Sequence, residues 1–203
     1  YAGKYAAGEL PVGNTPLEPE IEADGTKVFN LTAAITDWEV SPGNVVKAWT
    51  YNGQVPGPWI RVEPGDRVRV NLTNNLPIST EIHWHGIDVP FDQDGVAPIT
   101  QDYVRPLETY TYEYTVQDNP GMGMFHAHFH GQVGIVNGLF GIFQVGDVPL
   151  PLGRTVGNVA IPADLDVTTI QEVPMVLNDA GVIGLSLNGK SFPATQPIAA
   201  KEG

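Results

Sequence analysis

The sequence has no cysteine, few basic residues and no long apolar run. Without cysteine, the 203-residue chain cannot form disulfides, thiolate metal sites or cysteine nucleophiles. Ten basic residues stand against 23 acidic ones, and the formal net charge of −13 argues against nucleic acid and anionic membranes as partners. Because no stretch of about 18 or more apolar residues occurs, no membrane-spanning helix is predicted. The charge favours a cationic or neutral small substrate, or a basic redox partner.

The sequence also lacks helical periodicity of useful length. Apolar and polar residues instead alternate over 28–40, 45–51, 67–72 and 109–116, and an apolar run covers 138–145. These patterns predict β-strands. The chain is 42% hydrophobic, and its 23 glycines and 18 prolines are well spread, which indicates short strands joined by many turns. We therefore predict an all-β protein, a sandwich or barrel with Greek-key connections.

A weak internal repeat divides the chain. The stretch from Asn52-Gly53 to Pro64-Gly65 is echoed, 136 to 138 residues later, by Asn188-Gly189 to Glu202-Gly203. We expect residues 1–150 to form a first domain with an extended arm over residues 1–25, residues 151–171 to be a linker, and residues 172–203 to be the opening strands of a second, truncated domain. The rest of that domain is expected to be a separate polypeptide or to have been lost by cleavage.

All five histidines lie in two clusters, His83-Trp84-His85 and His126-Ala127-His128-Phe129-His130. Neutral imidazole is the commonest protein ligand of metals such as copper and zinc. Side chains alternate along a strand, so the histidines of each cluster are expected to share one face, about 6–7 Å apart. One such pair can be a surface coincidence, whereas two pairs that hold every histidine favour a metal site. The spacing suits two neighbouring ions, so the sequence predicts a multi-metal cluster between two strands.

The histidine stretch His83-Trp84-His85-Gly86 is followed by Asp94-Gly95-Val96 with Thr100-Gln101, and then by Phe125-His126-Ala127-His128. Further motifs are Tyr51-Asn52-Gly53-Gln54-Val55-Pro56-Gly57-Pro58, Val62-Glu63-Pro64-Gly65-Asp66, Asn71-Leu72-Thr73-Asn74-Asn75-Leu76 and Gly138-Leu139-Phe140-Gly141. Together, these motifs along most of the chain resemble those of the multicopper oxidases, the laccases and related cupredoxin-fold enzymes.

This resemblance implies a cupredoxin-like fold and copper as the cofactor. Such enzymes hold a trinuclear copper cluster between two cupredoxin domains. By motif, His83 would bind the type 2 copper, and His85, His126 and His128 would bind the type 3 pair. Asp94 matches an acid that assists proton delivery to oxygen, although Asp-Gly is also a common turn dipeptide. His130 would hydrogen-bond a ligand or line the oxygen channel from outside the ligand set.

Ala127 separates this chain from domains that carry a type 1 blue copper, which needs a cysteine thiolate between the two histidines. The pattern is therefore similar to two-domain multicopper oxidases with the type 1 copper in the second domain. This likeness implies a homotrimer of the full assembly, completed by a chain or domain that carries the remaining ligands. It also implies O2 and a small reducing substrate or redox donor as partners, and an extracytoplasmic location, periplasmic or secreted.

Three alternatives remain open at this point. A copper nitrite reductase relative would share the fold, but such an enzyme places its blue copper in the first domain, which Ala127 disfavours. A non-catalytic copper-binding cupredoxin module predicts one tightly held ion and no oxygen reduction. A zinc or iron cupin would also begin with H-x-H, but the glutamate expected shortly afterwards is absent.

Overall fold

The computed structural model describes residues 12–117, 120–167, 170 and 172–198. The strands are β1 (Glu20–Ile21), β2 (Lys27–Ser41), β3 (Asn44–Tyr51), β4 (Ile60–Val62), β5 (Arg67–Asn74), β6 (His83–His85), β7 (Thr109–Thr115), β8 (Gly121–His126), β9 (Phe140–Val145), β10 (Thr155–Val156), β11 (Val159–Ala160), β12 (Leu177–Ala180) and β13 (Gly184–Leu187). Two short helical elements, a 3-10 turn (Phe91–Gln93) and α1 (Gly131–Gly134), lie between the strands.

Two sheets make up most of the fold. In the first, β1, β2, β5 and β7 follow one another and β3 pairs with the free part of β2. The second sheet has the order β4-β9-β8-β6. β2 pairs in parallel with β5, and β4 pairs in parallel with β9. Parallel neighbours need a crossover connection, and in both cases the chain passes through the other sheet between the two strands. The prediction of an all-β fold is confirmed.

The core lies between the two sheets. Phe29, Val70 and Tyr112 of the first sheet pack in one buried cluster with Trp84 and Phe143 of the second. These side chains sit at alternate positions of their strands, as the period-two patterns predict. Each is at most 1% exposed, so the face of β6 that carries Trp84 is fixed against the core. The histidine face of β6 must then point the other way.

The strand bounds agree with the sequence patterns. The alternation over 28–40 corresponds to β2, that over 45–51 to β3, that over 67–72 to β5 and that over 109–116 to β7, with ends shifted by at most two residues. The apolar run over 138–145 contains β9, in which every residue is buried, since both faces of this strand are covered. The buried continuous run is thus a central strand of the second sheet.

The segment from 172 onwards contributes a hairpin, β12–β13, that is anchored to the first sheet. The indole N–H of Trp38 donates to the carbonyl of Gly189 at 2.7 Å, and the Lys190 ammonium lies 4.0 Å above the Trp38 ring. Lys190 also donates to the carbonyl of Glu39. This lysine is 1% exposed, and burial lowers its pKa to about 8.

The two copies of the repeat adopt the same turn. Asn52 and Asn188 both have a positive φ, 53° and 49°, and each is followed by a glycine at φ 73°. The Asn52 side chain accepts the N–H of Thr32 and donates to the carbonyl of Asn30. The Asn188 side chain accepts the N–H of Val176 and donates to the carbonyl of Pro174, two residues before, as in the first copy. The last residues of the second copy, Glu202-Gly203, lie outside the described residues.

The expected arm and linker are partly described. Residues 1–11 of the arm lie outside the described residues, while its remainder adds a bridge between Pro16 and Trp59 and the short strand β1. Within 151–171, the strands β10 and β11 form a two-residue hairpin whose residues are all exposed.

Candidate metal centre

Strands β6 and β8 bring the two histidine clusters together. They pair antiparallel with His83 opposite His126, Trp84 opposite Phe125 and His85 opposite Met124. Residues directly opposite in such a pair project on the same face. The ring centroids of His83 and His126 are accordingly 5.3 Å apart, and those of His83 and His85 are 5.8 Å apart. The predicted convergence of the clusters is thus present in the geometry.

The ring nitrogens are placed as metal ligands require. One nitrogen each of His83, His85 and His126 lies within 4.8 Å of the other two. His85 Nδ1 and His126 Nε2 are 3.3 Å apart. Two imidazole nitrogens that bind one ion at about 2.0 Å in tetrahedral geometry are separated by about 3.3 Å. The donor set therefore fits a shared metal ion between His85 and His126, without a thiolate ligand in the cysteine-free chain.

Asp94 holds the ring of His83. The Nδ1–H of His83 donates to the Asp94 main-chain carbonyl at 2.9 Å, and an Asp94 carboxylate oxygen lies 3.3 Å from the same nitrogen. Fixing the proton on Nδ1 leaves Nε2 as the free ligand atom, the arrangement common to metal-binding histidines. The two side chains are 22% and 33% exposed, so this pair lies at the edge of the interior.

The loop that carries Asp94 is packed tightly against β6. Asp94 follows the 3-10 turn, and the side chain of Gln93 in that turn accepts the N–H of Glu113 at 2.8 Å. Gly95 has a φ of +70°, and a Cβ atom there would lie 1.6 Å from the carbonyl oxygen of Ile82. A glycine is therefore needed for this loop to reach His83.

The surroundings of His126 favour its neutral form. The residue is 7% exposed, and its Nδ1–H donates to the carbonyl of Ala127 at 3.0 Å. Burial is the main cause that lowers the pKa of His126 below the ordinary histidine value. Since the neutral imidazole is the ligating form, this environment favours metal binding near neutral pH.

The ring of His128 contacts the histidine cluster, whereas the ring of His130 makes no such contact among the described residues. The His128 ring centroid is 5.5 Å from that of His83, and the residue is exposed, as is His85. His130 has a left-handed backbone with φ 51° and precedes α1. Its ring lies 4.1 Å from Phe129, and no ring contact joins it to another histidine among the described residues. A contact of His130 with a copper ligand stays a prediction.

The prediction that 126, 128 and 130 share one strand face is wrong, because β8 ends at His126. Beyond it, the N–H of Ala127 donates to the carbonyl of Leu139, and the N–H of Gly131 donates to the carbonyl of His128, which closes a turn. The chain therefore turns before His130 instead of extending the alternation.

Glu81 is a residue of the site that sequence reasoning missed. It is 0% exposed, and its Oε1 accepts the main-chain N–H of His128 at 2.9 Å and that of Phe129. Burial raises the pKa of Glu81, and the two N–H bonds oppose that shift. The available signal was its position two residues before His83, where alternation places an acid on the histidine side of the segment.

These features define an all-β protein with a histidine cluster on neighbouring strands whose ring nitrogens could hold a metal ion. Residues 33–149 match the family model described as Multicopper oxidase, and the chain belongs to this family, whose metal is copper. The chain is similar to Laccase-1 of Arabidopsis thaliana, with 42% identity over 133 residues, 64% of this chain and 22% of the relative. Copper resistance protein A of Pseudomonas syringae pv. tomato is 34% identical over 143 residues, 66% of this chain and 23% of the relative.

Solved structures agree with this assignment. The blue copper oxidase from Nitrosomonas europaea superposes with a TM-score of 0.73 at 29% identity, over 88% of this chain and 58% of the other. The cupredoxin-like fold is thereby confirmed. The chain spans about a fifth of the length of the two curated relatives. Among the described residues, no helix is long and apolar enough to cross a membrane.

Proposed function

We propose that this chain supplies half of the imidazoles of a trinuclear copper cluster in a laccase-like multicopper oxidase. In the complete assembly, O2 is reduced to water with electrons from a type 1 copper in a second domain, and a small reducing substrate or redox donor provides them. The observation that carries the proposal is the 3.3 Å separation of His85 Nδ1 and His126 Nε2, in a chain that belongs to the family.

The ligand roles follow the geometry and the resemblance together. His83, whose Nδ1 proton is engaged by Asp94, offers Nε2 to the type 2 copper. His85, His126 and His128 serve the type 3 pair, and the close approach of the first two supports one shared ion. Four imidazoles cannot satisfy three ions that each take three or four ligands. The exposure of His85 and His128 leaves room for ligands from outside the chain.

Bound copper would supply the one-electron redox steps by cycling between its cuprous and cupric states. The chain's own residues set the surroundings of that chemistry. Asp94 holds the proton on Nδ1 of His83, and its carboxylate, 33% exposed on its side chain, can exchange protons with solvent. We assign Asp94 the catalytic role of proton delivery toward oxygen. A role in the turn alone would need the main-chain carbonyl but not the carboxylate.

Residues 172–203 are proposed to open a second cupredoxin domain, with residues 151–171 as the linker. The matching side-chain bonds of Asn52 and Asn188 support this repeat. Leu177, Leu185 and Phe192 are between 76% and 84% exposed, which is the apolar surface that further strands of such a domain would cover. The remaining copper ligands would lie on that part, in a homotrimer located outside the cytoplasm, as the resemblance to two-domain enzymes implies.

The test compares the 203-residue chain with the complete assembly, each loaded with cupric ions. The chain alone should give no intense blue absorption, because it has no thiolate, and no oxygen uptake. The assembly should give both, and intact mass spectrometry should identify a polypeptide with further histidines and a cysteine. In the assembly, His126→Ala should abolish oxygen uptake and keep the blue absorption, whereas the control Lys47→Ala, at an exposed position of β3, should keep both. Undiminished oxygen uptake in His126→Ala would refute the proposal.

A further inference from the structure

Glu81 stands where the pairing between the two histidine segments ends. The β6–β8 register places His83 opposite His126, and its continuation would place Glu81 opposite His128. Strand pairing stops before that position, so the main-chain N–H groups of His128 and Phe129 have no ladder partner. The Glu81 carboxylate accepts both N–H groups through Oε1. A side chain thus takes over from the backbone ladder at the residue where the strands diverge.

The main chain around Glu81 is itself anchored on both sides. Thr80 exchanges two main-chain hydrogen bonds with Val104, at 3.0 and 3.1 Å. The N–H of Ile82 donates to the hydroxyl of Tyr112 at 2.8 Å. Tyr112 is a fully buried residue of β7 in the first sheet. The carboxylate therefore projects from a fixed base, as a group must if it is to set the position of a neighbour.

We propose that Glu81 is a positioning residue that fixes the copper ligand His128. Glu81 braces the two histidine segments against each other. It precedes His83 by two residues along the chain, and its carboxylate accepts a hydrogen bond from the main chain of His128. This proposal rests on the proposed function for its copper chemistry, but the brace itself is a property of the metal-free protein. Without the carboxylate, two main-chain N–H groups lose their acceptor and the exposed His128 loses its main-chain anchor.

The second oxygen of Glu81 makes a discriminating variant available. Oε2 is buried and has no hydrogen-bond partner among the described residues, while Oε1 makes both bonds. Glu81→Gln can keep the accepting oxygen and place the amide nitrogen at the Oε2 position. Glu81→Leu removes the acceptor with a similar volume. Val68→Ala, at a fully buried position of β5, is the control that destabilises the protein away from the site.

Two measurements separate the brace from the function. Residue-resolved hydrogen exchange of the metal-free protein should give amide rates at 128 and 129 at least about tenfold faster in Glu81→Leu, and nearly unchanged in Glu81→Gln and Val68→Ala. Competition with a chelator for cuprous ions in the complete protein should show copper affinity about 10- to 100-fold lower in Glu81→Leu, with Glu81→Gln close to wild type.

Unchanged exchange at 128 and 129 in Glu81→Leu overturns the brace, whatever the copper result. Equal copper loss in Val68→Ala, at the same fall in melting temperature, also overturns it, because the effect would then be general instability. If exchange accelerates as expected but copper affinity does not change, the brace stands and His128 is not a ligand, so positioning of a copper ligand is refuted together with that part of the proposed function.

Discussion

Gly95→Ala tests how the Asp94 loop is held against β6. Alanine would place a Cβ atom 1.6 Å from the carbonyl oxygen of Ile82, whereas about 3.0 Å is the shortest approach such atoms tolerate. The loop must therefore retreat by about 1.4 Å, which lengthens the 2.9 Å bond between His83 Nδ1 and the Asp94 carbonyl to more than about 4 Å if it moves along the same line. That hydrogen bond is then lost.

The energetic cost has three parts. A non-glycine residue at φ +70° costs about 1–2 kcal/mol, and overpacking adds about 1–3 kcal/mol if the loop does not move freely. The lost hydrogen bond adds about 1 kcal/mol. The free energy of unfolding should fall by about 3–6 kcal/mol, which is about 6–24 °C in Tm for a protein of this size. Losing the partner of a ligand histidine should also lower copper affinity by about 10- to 100-fold.

Gly43→Ala is the matched control. Gly43 has a comparable φ of +77°, but a Cβ atom there would meet nothing within 4 Å. It should cost about 1–2 kcal/mol from the backbone alone and leave copper affinity unchanged. Thermal unfolding and chelator competition on both variants provide the comparison. Equal destabilisation by the two substitutions, with copper affinity intact in Gly95→Ala, would refute the argument that close packing of this loop positions Asp94 on His83.

Three further predictions concern protonation. Asp94→Asn keeps the main-chain carbonyl that holds His83, so copper content should persist while oxygen reduction falls by about 10²- to 10⁴-fold. Asp92→Asn is the control and should keep both. Loss of copper together with activity in Asp94→Asn would contradict the proton role. Because the pKa of His126 is lowered in the folded state, the unfolded chain binds a proton more readily below about pH 6.5. The metal-free protein should therefore lose stability on acidification below that pH, and His126→Gln should lose less. An equal fall in melting temperature with pH in both proteins would argue otherwise. The pKa of Lys190, about 8, lies below the ordinary lysine value. The stability of the wild type should therefore rise between about pH 8 and 10.5 relative to that of Lys190→Met, as measured by thermal melts. The control Lys47→Met, at an exposed position, should show the same pH dependence as the wild type.

The strands were predictable because their burial follows local alternation. β2, β3, β5 and β7 each place apolar residues on the core face at every second position, so a window of a few residues is sufficient. The end of β8 was not predictable in this way. His126-Ala127-His128-Phe129-His130 continues the alternation, but carbonyl and carboxylate acceptors elsewhere in the chain capture the N–H groups from Ala127 onwards.

The candidate site was predictable in its residue types and not in its supporting contacts. The H-x-H spacing indicated shared faces, and the resemblance indicated Asp94. The bond from His83 Nδ1 to the Asp94 carbonyl depends on a glycine that fits beneath Ile82, which alternation does not encode. Glu81 reaches His128 across 47 residues of sequence, and such a contact follows from strand register rather than from any local pattern.

The most direct test is anomalous diffraction at the copper absorption edge from crystals of the complete assembly. We predict copper peaks about 2 Å from ring nitrogens of His83, His85, His126 and His128, at the typical distance of imidazole ligands. His85 and His126 should share one of those ions. Copper peaks beyond about 3 Å from all four rings would show that these histidines are not the ligands.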